Sequence, residues 1–438
     1  MAFSMTAWTP YQPTPAAPWN LQRVHHLHRR AAFSATWSEL QREMAKEPQA
    51  AVTALLEGKS RLEGVPAEFE SLSAVIAQAA VDSGNPERLK AWWLYRCLFA
   101  PHPLQERLTL MWHNHFATSN LKVDNLTLMK RQNETFRKHA LGSFRDLLVA
   151  MAHDPALLVW LDASQNRKEH PNENLARELM ELFTLGIGHY TEDDIKQAAR
   201  ALTGWTVRQG EFRDRPVAHD DGEKEILGHV GKWSGDDLVN LLLDQPQTAR
   251  RISSRLTNEF FGEGVIHEPA LAELTAGLQK NQLDIRWAVE TILRSELFFS
   301  PANIGSRIAD PVSFAIGPLV ALESWRSPPS TLALTEWISR MGQDLFYPPN
   351  VGGWSGGRTW LTTRAVLART NFAAVLMAGQ LASPVRPLDC AALMARHVGA
   401  TESHDCTKFV AQLLYGRDCE RAIQTPLELL TAPAAHLH

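Results

Sequence analysis

The chain has 438 residues, of which 45 % are hydrophobic and 21 % are charged, so it can bury a large core and is not disordered throughout. Its net charge of -4 gives no electrostatic footprint for nucleic acid, and we expect none to bind. No apolar run reaches the about 18 residues that a membrane-spanning helix needs.

The four cysteines are Cys97, Cys390, Cys406 and Cys419, and no two of them form a CxxC pair. A zinc knuckle and a disulfide scaffold therefore lack support, while one local bridge near the C-terminus stays open. The N-terminus has no charged start followed by an apolar run, so it does not read as a secretory signal. The sequence as given predicts a cytoplasmic protein.

The chain divides into an arm, a main domain and an extension. Residues 1–18 are rich in proline, and we predict a flexible arm there. From about residue 19 the apolar residues recur at helical spacing. This spacing predicts an all-α fold, with one large multi-helix domain at 19–380 and a helical extension packed on it at 381–438.

The helices follow from apolar periodicity and from start signals. Ser143, Thr191 and Asp310 stand at helix N-cap positions, and an acid three residues after Thr191 approximates a capping box. The predicted helices lie near 20–31, 36–46, 48–57, 67–82, 86–100, 102–118, 121–140, 143–152, 172–186, 191–203, 235–244, 246–262, 268–280, 284–294, 310–323, 331–342, 360–380, 387–398, 405–415 and 419–430.

Two long irregular loops interrupt the predicted helices, at about 205–234 and 341–360. Long loops in a compact domain often carry function. Convincing alternating strands are absent from the sequence, so we expect little or no β-structure beyond a short hairpin within 218–233.

The stretch LTLMWHNHFATSN, residues 108–120, predicts a helix that carries His113 and His115. The two side chains lie about 200° apart on a helix, so one face cannot present both to one metal ion. One histidine can serve as a ligand or an acid while the other packs. The competing interpretation is a hydrogen-bonded structural histidine.

Residues 172–186 predict one amphipathic helix with a polar face about 140° wide. Glu178 and Glu181 lie at i,i+3 on this face, close enough to share a divalent metal ion or a proton. Arg177 can pair with a carboxylate or an anionic substrate, and Asn174 is a binding candidate beside it. The competing interpretation is the solvated side of a helix, since acidic outer faces are common.

Each long loop also holds binding candidates. In the first loop, His219 and Asp220 precede a glycine, and such a group can bind a cation or position a general base. In the second loop, four glycines let the backbone approach a ligand, Arg358 offers a planar fork for an anion, and Trp354 can form a pocket wall. Polar turn residues and a rigid packed connection are the structural alternatives.

Six stretches in this order resemble the bacterial family known as domain of unknown function 1800 (DUF1800). They cover about residues 21–369 and read HHLHRRAAF, MWHNHFATS, NENLARELMELFTLGIGHYTEDD, ARALTGW, HDDGEKEILG and MGQDLFYPPNVGGWSGGRTW. The resemblance implies a partner that is similar to the alkaline phosphatase and sulfatase superfamily, because members are typically encoded beside such a protein. Many members carry export signals, so the resemblance leaves a periplasmic location open.

These residues favour two functions; a haem or redox carrier is a third, for which the sequence has histidines but no attachment motif. The first is an enzyme with a polar site in a helical cleft, in which Glu178, Glu181, His113 and His115 act as ligands or acid–base groups; hydrolytic and oxidative chemistry both stay open. Convergence of the histidines on the glutamates within about 5 Å would favour it. The second is a non-catalytic partner or assembly factor for the phosphatase-like neighbour. An exposed apolar patch around the tryptophans of the glycine loop would favour that function.

Overall fold

The computed structural model describes residues 6–58, 68–324, 329–399, 403–418 and 423–438. Within these residues the chain forms 22 α-helices and two small two-stranded sheets, which confirms the predicted all-α fold. None of the described helices is long and apolar enough to cross a membrane. The helices are α1 (Leu21–Ala31), α2 (Trp37–Met44), α3 (Pro48–Leu56), α4 (Phe69–Asp82), α5 (Pro86–Phe99), α6 (Pro103–His115), α7 (Asn120–Val123), α8 (Leu126–His139), α9 (Phe144–Ala152), α10 (Pro155–Trp160), α11 (Asn174–Glu178), α12 (Glu192–Ala201), α13 (Gly235–Asp244), α14 (Pro246–Phe260), α15 (Glu268–Lys280), α16 (Ile285–Arg294), α17 (Pro311–Ala321), α18 (Thr331–Arg340), α19 (Thr363–Met377), α20 (Cys390–Val398), α21 (Ser403–Tyr415) and α22 (Pro426–Thr431).

The start signals read from the sequence are present as hydrogen-bonded caps. Ser143 accepts a backbone N–H at the start of α9, and Asp310 does so at the start of α17. Thr191 and Asp194 form a complete capping box at the start of α12. Each cap satisfies backbone donors that the first helical turn leaves without partners.

The first long loop holds both sheets. The hairpin predicted within 218–233 is present as β3 (Lys224–Ile226) and β4 (His229–Gly231). A second hairpin, which the sequence did not predict, pairs β1 (Trp205–Arg208) with β2 (Glu211–Asp214). Its two turn residues both have positive φ angles, as a tight hairpin turn requires.

Several helix predictions differ from the structure in their limits. The predicted helix at 121–140 is broken where Asp124 adopts a left-handed φ of 45°. The short helix α10 was not predicted. The predicted helix at 419–430 starts outside the described residues, and Cys419 lies outside them too. The described part of that segment contains α22.

The core consists of two hydrophobic clusters. One gathers the apolar faces of α9 and α12–α16, and the other gathers those of α5 and α17–α22. Helix α6 contributes to both, because Leu108 and Trp112 belong to the first cluster and Leu110 to the second. Helix α6 therefore runs along the boundary between the two clusters.

The two ends of the chain pack on the helical body. Trp8 is buried and donates from its indole N–H to the Ala270 carbonyl at 2.8 Å. Tyr11 is also buried. Near the other end, α21 packs against α1 and α17. The domain boundaries at residues 18 and 380 remain predictions.

Candidate functional site

The polar residues of α11 are engaged at the protein surface. Arg177 forms a bidentate ion pair with Glu192, with both contacts at 2.8 Å, and a further contact of 3.1 Å with Glu173. Asn174 donates from Nδ2 to Asp162 Oδ2 at 3.2 Å. The guanidinium fork that was predicted to meet a substrate is therefore held by two carboxylates of the protein.

The predicted glutamate pair is present one turn further on. Glu178 and Glu181 are both partly buried, and Glu181 Oε2 accepts a hydrogen bond from the Tyr190 hydroxyl at 2.5 Å. Burial and the charge of Glu181 raise the pKa of Glu178 to about 7, although Arg177 acts in the opposite direction. A carboxyl group with this pKa can both hold and release a proton at neutral pH.

The segment after Glu178 is a π-helix, Leu179–Thr184. Its hydrogen bonds run over five residues, and Leu185 N donates to Met180 O at 2.8 Å. The α-helical periodicity from which the polar face is predicted does not apply here. Thr184 is fully buried, and its hydroxyl donates to Leu179 O at 2.6 Å. π-Helical turns are frequent at functional sites.

Two side chains satisfy carbonyl groups at the end of this π-helix. Arg251 Nε donates to Leu182 O at 3.2 Å, and His115 Nε2 lies 3.1 Å from Phe183 O. Because a carbonyl group only accepts, Nε2 of His115 carries the proton. Burial and the charges of Arg255 and Arg251 lower the pKa of His115 well below its ordinary value, so the ring is neutral.

His113 lies on the other side of α6 in a box of aromatic rings. Its ring centroid is 5.2 Å from that of Trp93, 5.6 Å from that of Phe346 and 5.7 Å from that of Trp354. Neither ring nitrogen has a hydrogen-bond partner among the described residues. Burial lowers the pKa of His113 to about 3, so this histidine is also neutral.

The structure does not bring the four predicted metal ligands together. His113 faces aromatic rings, His115 is bound to a backbone carbonyl, and Glu181 is bound to a tyrosine. In the described part of the chain, no group of three or more His, Cys, Asp or Glu side chains is placed to hold a metal ion. The metal site remains a prediction.

The residues predicted in the first long loop stabilise that loop. Asp220 pairs with Arg200 at 2.7 Å, and the Arg200 hydrogen bonds outweigh burial to lower the pKa of Asp220 to about 2. His219 Nδ1 lies 3.0 Å from Thr203 O. Both residues thus tie the loop to the end of α12.

The glycine loop is clamped to α6 by Asn114. Trp354 N donates to Asn114 Oδ1 at 2.7 Å, and Asn114 Nδ2 donates to Trp354 O at 3.3 Å. Gly353 has a φ of +77°, and a Cβ atom there would lie 2.6 Å from the Asn114 carbonyl oxygen. The glycine is required because the loop backbone passes directly over α6.

A cleft of about 570 Å³ opens beside this clamp, and we call it the central cleft. Its walls come from α6, the C-terminal half of α14, residues 306–310 and the glycine loop. Elements that contribute to both core clusters therefore line the central cleft. Its lining residues include Asn114, Arg255, Asn258, Glu259, Phe261, Glu263, Arg307, Asp310, Trp354, Arg358 and Trp360.

Four of the charged groups at the cleft neutralise one another. Arg107, buried behind the wall, contacts Glu259 at 2.6 Å and Asp310 at 3.0 Å. Arg307 contacts Glu259 at 3.4 Å. Burial alone would raise the pKa of Asp310, but Arg107 and Arg307 outweigh it and lower the pKa to about 2. Asp310 is therefore ionised, and Arg107 and Arg307 hold both carboxylates.

Two other arginines of the cleft have no such partner. Among the described residues, no carboxylate lies within 4.0 Å of Arg255 or Arg358. Arg255 donates to Met111 O at 3.5 Å, and its Nε has no hydrogen-bond partner in that part of the chain. Burial lowers the pKa of Arg255, and Glu259 acts in the opposite direction.

A smaller cavity of about 90 Å³ shares Asn114, Arg255 and Asn258 with the central cleft, and we call it the side cavity. His115, Arg251 and Ser254 also line it. Of the residues predicted from the sequence, Trp354 and Arg358 thus lie in the central cleft and His115 in the side cavity. The patch that would favour a partner role is not exposed, since Trp354 and Trp360 are 6 % and 7 % exposed.

Arg251 and Arg255 were missed as candidates because α14 reads as an ordinary amphipathic helix. A signal was present nevertheless. Arg251, Ser254, Arg255 and Asn258 follow the i, i+3, i+4, i+7 spacing of one helix face. That face carries two cations and no acid, which distinguishes it from a typical mixed-charge surface.

Fold and site together define an all-helical protein with a polar cleft at the boundary of two core clusters. The chain belongs to the family described as "Protein of unknown function (DUF1800)", whose model matches residues 26–435, nearly the whole chain. No curated protein and no solved structure matches the chain.

Proposed function

We propose that this protein binds a small anionic molecule in the central cleft. The volume of about 570 Å³ lies within the range of about 300–1,000 Å³ that is usual for small-molecule sites. Walls from four separate segments give the cleft the concave shape of such sites. The fixed clamp between Asn114 and Trp354 keeps one wall in place before a ligand arrives, which lowers the entropic cost of binding.

The observation that carries this proposal is the charge at the cleft. Glu259 and Asp310 are neutralised by Arg107 and Arg307. Arg255, which is partly buried, and Arg358, which is exposed, remain without a carboxylate partner in the described part of the chain. A guanidinium group that is partly removed from water favours an anion. Glu263, which is exposed at the rim, offsets part of this charge.

The ligand would also have an apolar body. Phe261, Trp354 and Trp360 line the central cleft, and aromatic side chains supply much of the contact energy in such sites. An aromatic ring that carries one anionic group therefore matches the cleft. Phenyl phosphate, phenyl sulfate and benzoate are simple probes of this chemistry.

Isothermal titration calorimetry with these three probes tests the proposal. At least one should bind to the wild type, and Arg358→Gln should weaken that binding about tenfold, because the central cleft loses one of the two cations that have no carboxylate partner among the described residues. Arg213→Gln removes an exposed arginine outside the cleft and serves as the control. Absence of binding by all three probes, or equal losses in both variants, would contradict the proposal.

A second candidate function is acid–base catalysis by Glu178 and Glu181. It rests on the pKa of about 7 for Glu178 and on Arg251, which lines the side cavity. Burial lowers the pKa of Arg251, and the charge of Glu181 acts in the opposite direction. Glu181 therefore interacts electrostatically with one of the guanidinium groups that would hold an anion. Release of phenol from phenyl phosphate by water should then fall about 100-fold in Glu178→Gln, with binding unchanged. Equal turnover in both proteins would exclude this role.

A further inference from the structure

We infer that the side cavity is a subsite for a doubly charged tetrahedral oxoanion, either a free ion or the phosphoryl group of the molecule bound in the central cleft. The inference deepens the proposed function and rests on it. The volume of about 90 Å³ is several times the roughly 10–15 Å³ that one water needs. A group of five heavy atoms such as phosphate or sulfate fits this scale.

The donors of the side cavity come from one face of α14. Arg251, Ser254, Arg255 and Asn258 all line the cavity, as their spacing on a helix requires. Together they offer two guanidinium groups, a hydroxyl and an amide. No Asp or Glu is among the residues that line the cavity, so the donors face no competing carboxylate there.

The charge of the site favours a dianion. Arg251, like Arg255, has no carboxylate within 4.0 Å among the described residues. Three acids influence these arginines at longer range: Glu181 acts on Arg251, and Glu259 and Glu263 act on Arg255. His115 contributes no charge because it is neutral. Two cations without close partners match phosphate or sulfate, which carry two negative charges, better than a carboxylate, which carries one.

The guanidinium groups of Arg251 and Arg255 are also held in position by hydrogen bonds. Arg251 donates from Nε to Leu182 O at 3.2 Å, and Arg255 donates from Nη2 to Met111 O at 3.5 Å. For Arg251 this contact uses the inner N–H group and leaves the terminal N–H groups for a ligand. The π-helix is the element that supplies the carbonyl, so its unusual geometry has a role in orienting the site.

Calorimetric titration with inorganic phosphate, sulfate and acetate at constant ionic strength tests the subsite. Phosphate or sulfate should bind to the wild type more tightly than acetate does. Arg251→Gln should weaken that binding by about 10- to 100-fold, while Arg251→Lys, which keeps the charge but loses the fork, should give an intermediate affinity. Arg250→Gln is the matched control, because the neighbouring Arg250 pairs with Glu268 at the surface.

The source of the oxoanion follows from the same variants titrated with phenyl phosphate. Binding of phenyl phosphate alone, with the same sensitivity to Arg251→Gln, supports the subsite and assigns it to the head group of a larger molecule.

Equal affinity of wild type and Arg251→Gln for all phosphate and sulfate probes would overturn the inference. If phenyl phosphate binding then still depends on Arg358, the central cleft stands and only the subsite falls. If no probe binds at all, the proposed function itself fails.

Discussion

His113 is a buried imidazole with no hydrogen-bond partner for either nitrogen among the described residues. Its pKa in the folded protein is about 3, against 6.5 for an ordinary histidine. Between these values the unfolded chain binds more protons than the folded one, so this group makes the protein less stable as the pH falls. Its contribution to the slope reaches about 1.4 kcal/mol per pH unit.

We therefore expect His113→Phe to unfold with a weaker pH dependence between about pH 6.5 and 3. Urea denaturation at several pH values measures this slope. His229→Phe, at an exposed position, is the control and should keep the wild-type slope. An unchanged slope in His113→Phe would mean that the imidazole is not held neutral.

Glu178 should change the pH dependence of stability in the opposite direction. Its pKa of about 7 lies above the ordinary value, so its contribution to stability is largest below about pH 4.5 and declines as the pH rises towards 7. Side-chain carboxyl ¹³C NMR should show a midpoint near 7 for Glu178. Glu181→Gln should lower that midpoint, because the nearby negative charge is removed, and Glu225→Gln at an exposed site should not. A midpoint near 4.5 in the wild type would contradict the assignment.

For single residues, the sequence predicts which side chains are candidates for a site better than it predicts their tertiary neighbours. Trp354 and Arg358 were predicted from the glycine loop, and both lie in the central cleft. His113 was predicted as a ligand, but its neighbours are aromatic rings from other parts of the chain. Such contacts depend on tertiary packing, which spacing along one helix does not encode.

The glycine loop is the element on which the proposed site depends most. A Cβ atom at Gly353 would collide with the Asn114 side chain and backbone, whereas at Gly264 nothing lies within 4 Å. The φ angles are similar, +77° and +68°, so both alanine variants carry similar backbone strain. The free energy of unfolding should therefore be about 1–3 kcal/mol lower for Gly353→Ala than for Gly264→Ala. Equal losses in chemical denaturation would mean that the loop does not pack on α6 as described.

Elements with strong periodicity and caps were predictable from the sequence. Helix α15 has the predicted limits, and the capping box of α12 is present. The π-helix was not predictable, because its residues have the same composition as an α-helix. Arg251 and His115, from two other helices, donate to the carbonyls of its last turn, and such tertiary contacts cannot be seen in the local sequence.

The whole molecule is joined across the cleft by a buried ion-pair network. Arg107 on α6 contacts Glu259 on α14 and Asp310 at the start of α17. Arg107→Met would leave two buried carboxylates short of a cation, and we expect a loss of about 3–5 kcal/mol in the free energy of unfolding. Arg250→Met, which breaks an exposed pair, should cost less than about 1 kcal/mol. Comparable losses in the two variants would show that the network does not stabilise the fold.

The sequence predicted the helical architecture but not the cleft. Asn114, Arg255 and Trp354 are separated by about 100 residues or more along the chain, and only the packing of the two core clusters brings them together. A single sequence predicts which residues share a face of a helix, but that face could pack against any of several other helices. The motif on α11 was the most conspicuous in the sequence, yet the two arginines of the central cleft without a carboxylate partner among the described residues are on α14 and the glycine loop.

A crystal structure of the protein with phenyl phosphate tests the account most directly. We predict that the phosphoryl oxygens lie about 2.7–2.9 Å from the guanidinium groups of Arg251 and Arg255, with the phenyl ring beside Trp354 in the central cleft. Phenyl phosphate bound elsewhere, with the central cleft and side cavity free of it at saturating concentration, would contradict the account.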